Sequence, residues 1–96
     1  MRTGNDFSYG FPMAKVTIYT RPFCGYCSRA VKLLNDKDAD FVEIEAGMDP
    51  ALRKEMMDRS GRTTFPQIFV GDQHIGGCDD MFALEREGKL DALLAA

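Results

Sequence analysis

The sequence predicts an α/β fold, a small mixed sheet with helices on its faces, on three observations. Two short β-rich segments flank a stretch of helical periodicity. A second helix carries its own start and stop residues. A two-residue turn with glycine first joins two more strand-like runs. The resulting order is β-α-β-α-β-β-α, followed by one shorter helical segment.

Each element has a local cause. Lys15 to Tyr19 alternates Lys, Val, Thr, Ile and Tyr and reads as a strand, which Thr20-Arg21-Pro22-Phe23 then breaks. From about Gly25 to Asn35, Ala30, Val31, Leu33 and Leu34 follow helical spacing with Ser28, Arg29 and Lys32 between them. Phe41 to Glu45 is a second alternating strand. With a helix between them, the two strands should be parallel in a right-handed crossover. Asp49 is an N-cap, Pro50 takes the first helical position, and Gly61 closes a helix with Leu52, Met56 and Met57 inside and Arg53, Lys54 and Arg59 outside. Gln67–Val70 and Gln73–Ile75 pair around Gly71-Asp72 as a hairpin, ended by Gly76-Gly77. The last helices cover about Asp79 to Arg86 and Lys89 to Leu94. Residues 1–12, MRTGNDFSYGFP, have no period and read as a flexible N-terminal extension ahead of one domain over residues 13–96.

Composition narrows the function classes. Ninety-six residues leave room for one domain. Twelve Lys and Arg against 15 Asp and Glu, a net charge of −3, argue against a nucleic-acid footprint. No apolar run approaches the roughly 18 residues of a membrane span, and the N-terminus lacks a basic-then-apolar leader, so a soluble, cytoplasmic protein with no membrane partner is expected.

Three cysteines in a chain without a leader do not suggest a disulfide framework. Cys24 and Cys27 form a C-x-x-C where a strand-to-helix loop meets a helix N-terminus. A thiol attacks as thiolate, and a free cysteine near pKa 8.5 is mostly protonated at neutral pH. The helix N-terminus and Arg21 are the candidates to stabilise the anion at Cys24. Cys27, one turn further in and more shielded, would resolve what Cys24 attacks. Structural zinc is the competing reading, with His74 and Cys78 completing a Cys₃His set. The His74-x₃-Cys78 spacing is not a second knuckle, and a C-x-x-C beside a βαβ pattern favours redox chemistry. A lone His74 on a hairpin strand is expected at the surface or half-buried. Pro66, after Thr64-Phe65, marks a strand entrance and by itself reads as an ordinary trans start. Gly76-Gly77-Cys78-Asp79-Asp80 leads into a helix whose free N–H groups could hold a carboxylate, with Asp79 and Asp80 capping it or meeting an ammonium group. Cys78 reads as a small buried apolar residue.

Taken in order, Tyr19-Thr20-Arg21-Pro22-Phe23-Cys24-Gly25-Tyr26-Cys27, Gly61-Arg62-Thr63-Thr64-Phe65-Pro66-Gln67-Ile68-Phe69 and His74-Ile75-Gly76-Gly77-Cys78-Asp79-Asp80 resemble the glutaredoxins, of the small bacterial dithiol type. The resemblance covers about residues 14 to 95. It implies a thioredoxin fold, a four-stranded mixed sheet flanked by helices. It also implies a glutathione-dependent thiol–disulfide oxidoreductase, working as a monomer on disulfide-bonded or glutathionylated proteins, with glutathione as co-substrate. Cys24 would be the nucleophile and Cys27 the resolving thiol. Pro66 would be cis and beside Cys24, with the Phe65 backbone pairing with the cysteinyl unit of glutathione. Arg21 and Arg53 would meet the glycyl carboxylate. The N–H groups of Cys78 and Asp79 would hold the γ-glutamyl end, with Asp80 or Asp79 near its ammonium, and Tyr26, Thr64 and Gly77 would complete the site.

Two positions depart from the family pattern: Phe65 stands where Val is common, and Gly25 where Pro is. Gly25 leaves a free N–H and a looser loop. Some glutaredoxins with Gly or Ser there hold a [2Fe–2S] cluster between two subunits. The resemblance therefore also allows a cluster-bridged homodimer, with Cys24 as metal ligand beside the thiol of bound glutathione, acting as redox sensor or cluster carrier.

Overall fold

The computed structural model of the protein describes residues 13–95, and the flexible extension expected at residues 1–12 lies outside the described residues. The chain runs β1 (Val16–Thr20), α1 (Gly25–Asp36), β2 (Phe41–Glu45), α2 (Pro50–Ser60), β3 (Gln67–Val70), β4 (Gln73–Gly76), α3 (Cys78–Arg86) and α4 (Leu90–Ala95). Four strands form one sheet in the order β2-β1-β3-β4. β1 and β2 are parallel, as the intervening helix requires, while β1–β3 and β3–β4 are antiparallel. This is the thioredoxin-type arrangement expected from the resemblance.

Period-two alternation divides the core between the faces of the sheet. On one side Val16, Ile18, Ile68 and Val70 pack against Ala30 and Leu34 of α1, Cys78 and Met81 of α3, and Leu90 and Leu94 of α4. On the other, Tyr19 and Phe69 pack with Ala46 and with Met56 of α2. A fully buried Ile, Leu or Met in either cluster stabilises the fold by about 1.5–3 kcal/mol. Leu52 and Met57, expected inside α2, are partly buried against the smaller cluster.

Element ends differ from expectation by a residue where a polar side chain is unexpectedly engaged. β1 extends to Thr20, which pairs with Glu45 and donates its hydroxyl to Glu43 Oε2 at 2.8 Å. α3 starts at Cys78 with Gly77 as its cap residue, so Asp79 does not cap it, and the Asp80 carboxylate reaches back to the Gly77 N–H at 2.8 Å. α2 begins and ends as its residues dictate. Asp49 Oδ1 accepts from Ala51 and Leu52 N–H, and Gly61 closes the helix in the left-handed region at φ 70.

The topology gathers one set of chain ends. β2 runs parallel to β1, β3 is antiparallel to β1, and β4 is antiparallel to β3. The exits of β1, β2 and β4 and the entrance of β3 therefore lie at the same end of the sheet. The starts of α1, α2 and α3 follow those three exits directly.

Candidate active site

Cys24 occupies the cap position of α1, with extended backbone at φ −112, ψ 106, and its Sγ accepts the Cys27 N–H at 3.2 Å. A sulfur at a helix N-cap sits against the unpaired N–H groups and positive end of the helix dipole, where negative charge is favoured. Both thiols are nearly enclosed, Cys24 at 6% and Cys27 at 4% exposure, so the difference in shielding expected between them is slight. Their environments differ more than their exposure. Burial first, and then the hydrogen bond to Cys24, push the Cys27 thiol up to about 12, against a smaller opposing pull from the Arg21 backbone. Cys27 is therefore protonated at neutral pH. All three cysteines are free.

A cleft of about 190 Å³ lies at this end of the sheet, lined by Tyr26, Arg62, Thr64, Phe65, Pro66, Gly77, Cys78, Asp79 and Asp80. Eight of the residues expected around glutathione are thus brought together by three separate segments. The Phe65–Pro66 peptide is cis, as the resemblance implied. Arg21 lies outside the cleft. It lines a neighbouring recess of about 300 Å³ with Phe23, Cys24, Cys27, Ser28, Val31 and Glu43, and its guanidinium donates to the Pro22 carbonyl at 3.2 Å. Tyr26 joins the two regions, since it also lines a surface recess with Arg21, Cys24, Gly25 and Arg29. Arg53 lines none of these. Its guanidinium donates to the Gly47 carbonyl and stands 6.0 Å from the Phe65 ring centroid, at the edge of the site.

Asp80 is committed within the protein. Its Oδ2 accepts from Gly77 N–H and from Arg62 Nη1 at 2.9 Å, and these bonds, the Gly77 one first, hold its carboxyl below the usual carboxylate range. Gly76 makes this possible: at φ +112 it needs no Cβ, and a Cβ there would collide with the Asp80 carboxylate. Asp79, by contrast, is exposed. Cys78 is buried in the core, as expected, and burial raises its pKa. His74 is half-buried. Its Nε2 bonds Gln67 Oε1 at 2.7 Å, and its ring packs 4.9 Å from that of Phe69. Among the described residues no group of three or more His, Cys, Asp or Glu forms a metal-binding cluster.

Three features escaped the sequence reading. Arg62 had no assigned role, although a lone basic residue between Gly61 and two threonines at a strand entrance is a usable signal. Phe23 is fully exposed next to Cys24, in the left-handed region at φ 57 that a bulky side chain rarely takes. Tyr19 donates its hydroxyl to Glu55 at 2.6 Å and accepts from Arg59 at 2.8 Å, an ion-bridged contact between β1 and α2 that only the fold brings together.

Known proteins agree with this geometry. The Glutaredoxin family profile matches residues 16–75. Glutaredoxin 3 of Escherichia coli is 55% identical over 82 residues, covering 85% of this chain and 99% of the relative. The solution structure of a glutaredoxin from Brucella melitensis superposes with TM-score 0.76 at 63% identity, covering 86% of this chain and 90% of that one. A buckwheat glutaredoxin–glutathione complex does so with TM-score 0.75 at 34% identity, over 82% of this chain and 74% of that one. Among the described residues no helix is long and apolar enough to cross a membrane. With a C-x-x-C at a helix start, a cis Phe65–Pro66 peptide in the wall of the cleft and relatives matched over nearly their whole length, the chain belongs to the glutaredoxins, a family of thiol oxidoreductases.

Proposed function

We propose that the protein reduces glutathione mixed disulfides and protein disulfides, with Cys24 as nucleophile and the cleft beside it holding glutathione. The observation that carries this reading is the position of Cys24. Its sulfur is the N-cap acceptor of α1, and Tyr26, two residues on, lines both a recess with Cys24 and the cleft that ends at the start of α3. The Cys24 thiolate attacks the glutathione sulfur of a mixed disulfide, a Cys24–glutathione disulfide forms, and the substrate thiolate leaves and takes a proton. A second glutathione thiolate then attacks that disulfide, releasing oxidised glutathione and restoring Cys24. On a protein disulfide, Cys24 attacks one sulfur and the other leaves and takes a proton. Cys27 then loses its proton and attacks Cys24 Sγ, expelling the substrate's second thiol and forming a Cys24–Cys27 disulfide. Two molecules of glutathione reduce that disulfide to the free thiols while becoming oxidised glutathione. Once Cys24 is tied up in a mixed disulfide, the smaller contributions of its hydrogen bond and charge to the raised Cys27 pKa are removed while burial, the larger cause, remains, so the resolving thiol is eased toward ionisation at the step that uses it.

Within the cleft, the Phe65 backbone would pair with the cysteinyl unit, and the Cys78 and Asp79 N–H groups would take the γ-glutamyl carboxylate. The ammonium goes to exposed Asp79, because Asp80 is engaged by Gly77 and Arg62. Arg21 and Arg53 would approach the glycyl carboxylate from the rim. Working with free thiols and reduced glutathione, the protein would act in the cytoplasm. The test is Cys27→Ser: it should keep turnover of a small glutathione mixed disulfide and lose reduction of a protein disulfide. Retention of both activities overturns the division of roles.

A second reading rests on Gly25, which is exposed next to Cys24 in the chain and where an added Cβ would meet open space beyond its own helix and chain neighbours. Two chains, each offering Cys24 and the thiol of a bound glutathione, would supply the four thiolates a [2Fe–2S] cluster takes. Bound there, the cluster would mask the nucleophile and make activity respond to oxidant. Protein purified anaerobically with glutathione should then be brown and dimeric; a colourless, active monomer removes this reading.

A further inference from the structure

We propose that His74 and Gln67 are positioning residues, a side-chain relay through a buried amide that sets the Thr64–Phe65–Pro66 wall of the cleft for glutathione. The inference rests on the reading of that cleft as the glutathione site and adds residues that the reading leaves unused.

Gln67 is fully buried at the entrance of β3, and its amide is spent in both directions. Its Nε2 donates to the Thr64 carbonyl at 3.0 Å and to Thr64 Oγ1 at 3.1 Å, while its Oε1 receives His74 Nε2 at 2.7 Å. The direction of the chain follows from chemistry. A carbonyl can only accept, so the amide nitrogen must face Thr64, and the oxygen left over must meet a donor, which fixes the proton on His74 Nε2. Thr64 Oγ1, accepting from Gln67, keeps its own hydroxyl proton to donate into the cleft it lines.

Stability alone does not ask for this arrangement. A buried amide costs free energy unless every partner is present, and apolar side chains of the same shape can replace such a set with little loss. β3 is otherwise Ile68, Phe69 and Val70, all buried, so an apolar residue at 67 would suit the strand. The three bonds instead tie β4, through His74, to the residue two places before Pro66. The His74 ring also packs against Phe69, 4.9 Å between centroids, which steadies the imidazole.

The test uses Gln67→Met, His74→Phe, their double variant and His74→Gln. Each is assayed with the mixed disulfide of glutathione and a cysteine peptide, and with 5,5′-dithiobis(2-nitrobenzoate), which reads Cys24 reactivity without the cleft. Each disruptive single variant should raise KM for the mixed disulfide about fivefold, leave kcat within about twofold and leave the second reaction unchanged. The double variant should be no worse than the poorer single one, because the relay is already broken. His74→Gln, which restores an N–H donor, should recover most of the KM. Effects that multiply in the double variant, unchanged KM in both singles, or a parallel fall of kcat and Cys24 reactivity overturn the relay. If Gln67→Met does not fold, the contrast between His74→Phe and His74→Gln decides. A wild-type protein with no preference for the glutathione disulfide over one lacking glutathione overturns the cleft reading itself, and the relay with it.

Discussion

Two helix starts in this protein have nearly the same backbone and opposite consequences. Cys24 caps α1 at φ −112, ψ 106, and Asp49 caps α2 at φ −122, ψ 107. Both cap atoms accept N–H groups of the first turn, at 3.2 Å for the sulfur and at 3.0 and 3.2 Å for the carboxylate. Asp49 is exposed and its side chain accepts from the Ala51 and Leu52 N–H groups, a cap that holds the helix. Cys24 is enclosed, with a second thiol one turn behind it. The helix end that meets a carboxylate at α2 meets a sulfur at α1. On the proposed reading of Cys24 as nucleophile, reactivity is set by which atom is placed at the cap, with no special backbone required.

The largest effect should come from exchanging the atom at α1 while keeping the cap. Cys24→Ser should lower glutathione-dependent turnover by about a thousandfold or more, to background, since a hydroxyl is a far weaker nucleophile at neutral pH. Ser is among the preferred N-cap residues, so the melting temperature should hold or rise. Alkylation by iodoacetamide should collapse at pH 7 and return only as the pH climbs. The remaining thiols, Cys27 and Cys78, both have raised pKa values, burial being the first cause in each, and a raised thiol pKa means less thiolate at a given pH. Substantial residual turnover would break the comparison, because it would move the nucleophile away from the cap.

The same contrast separates what the sequence carried openly from what it did not. Asp49-Pro50 and Gly61 declared α2 because caps act over three or four neighbouring residues, and the C-x-x-C declared the reactive pair for the same reason. β2 was legible from its alternation. Thr20 was read as the break after β1, because its burial depends on Glu43 and Glu45, which only strand pairing brings near. The wall of the cleft was legible as three separate motifs, but the ion pair of Arg62 with Asp80 spans eighteen residues of sequence and follows from the meeting of the β3 entrance with the β4 exit. The Gln67–His74 bond lies across a hairpin, where the turn was read correctly and the side-chain pairing was not. Residues whose partners lie within one element were visible; those whose partners are set by topology were not.

The smaller effect belongs to α2. Asp49→Ala leaves the Ala51 and Leu52 N–H groups to water and should cost about 1 kcal/mol, which for a domain of this size lowers the melting temperature by about 4–8 °C. Asp49→Asn, which keeps an acceptor oxygen, should lose much less. In both variants kcat for the glutathione mixed disulfide should stay within about twofold of wild type, because among the described residues the Asp49 carboxylate bonds its own helix alone. Arg53 makes the measurement sharper: it sits on the first turn of α2, and its N–H donates to the Asp49 carbonyl at 2.9 Å. If Asp49→Ala raised KM for glutathione as well as lowering the melting temperature, the start of α2 would be holding Arg53 for the ligand, and the two helix ends would both belong to the site. An unchanged KM leaves α1 as the reactive end and α2 as its structural counterpart.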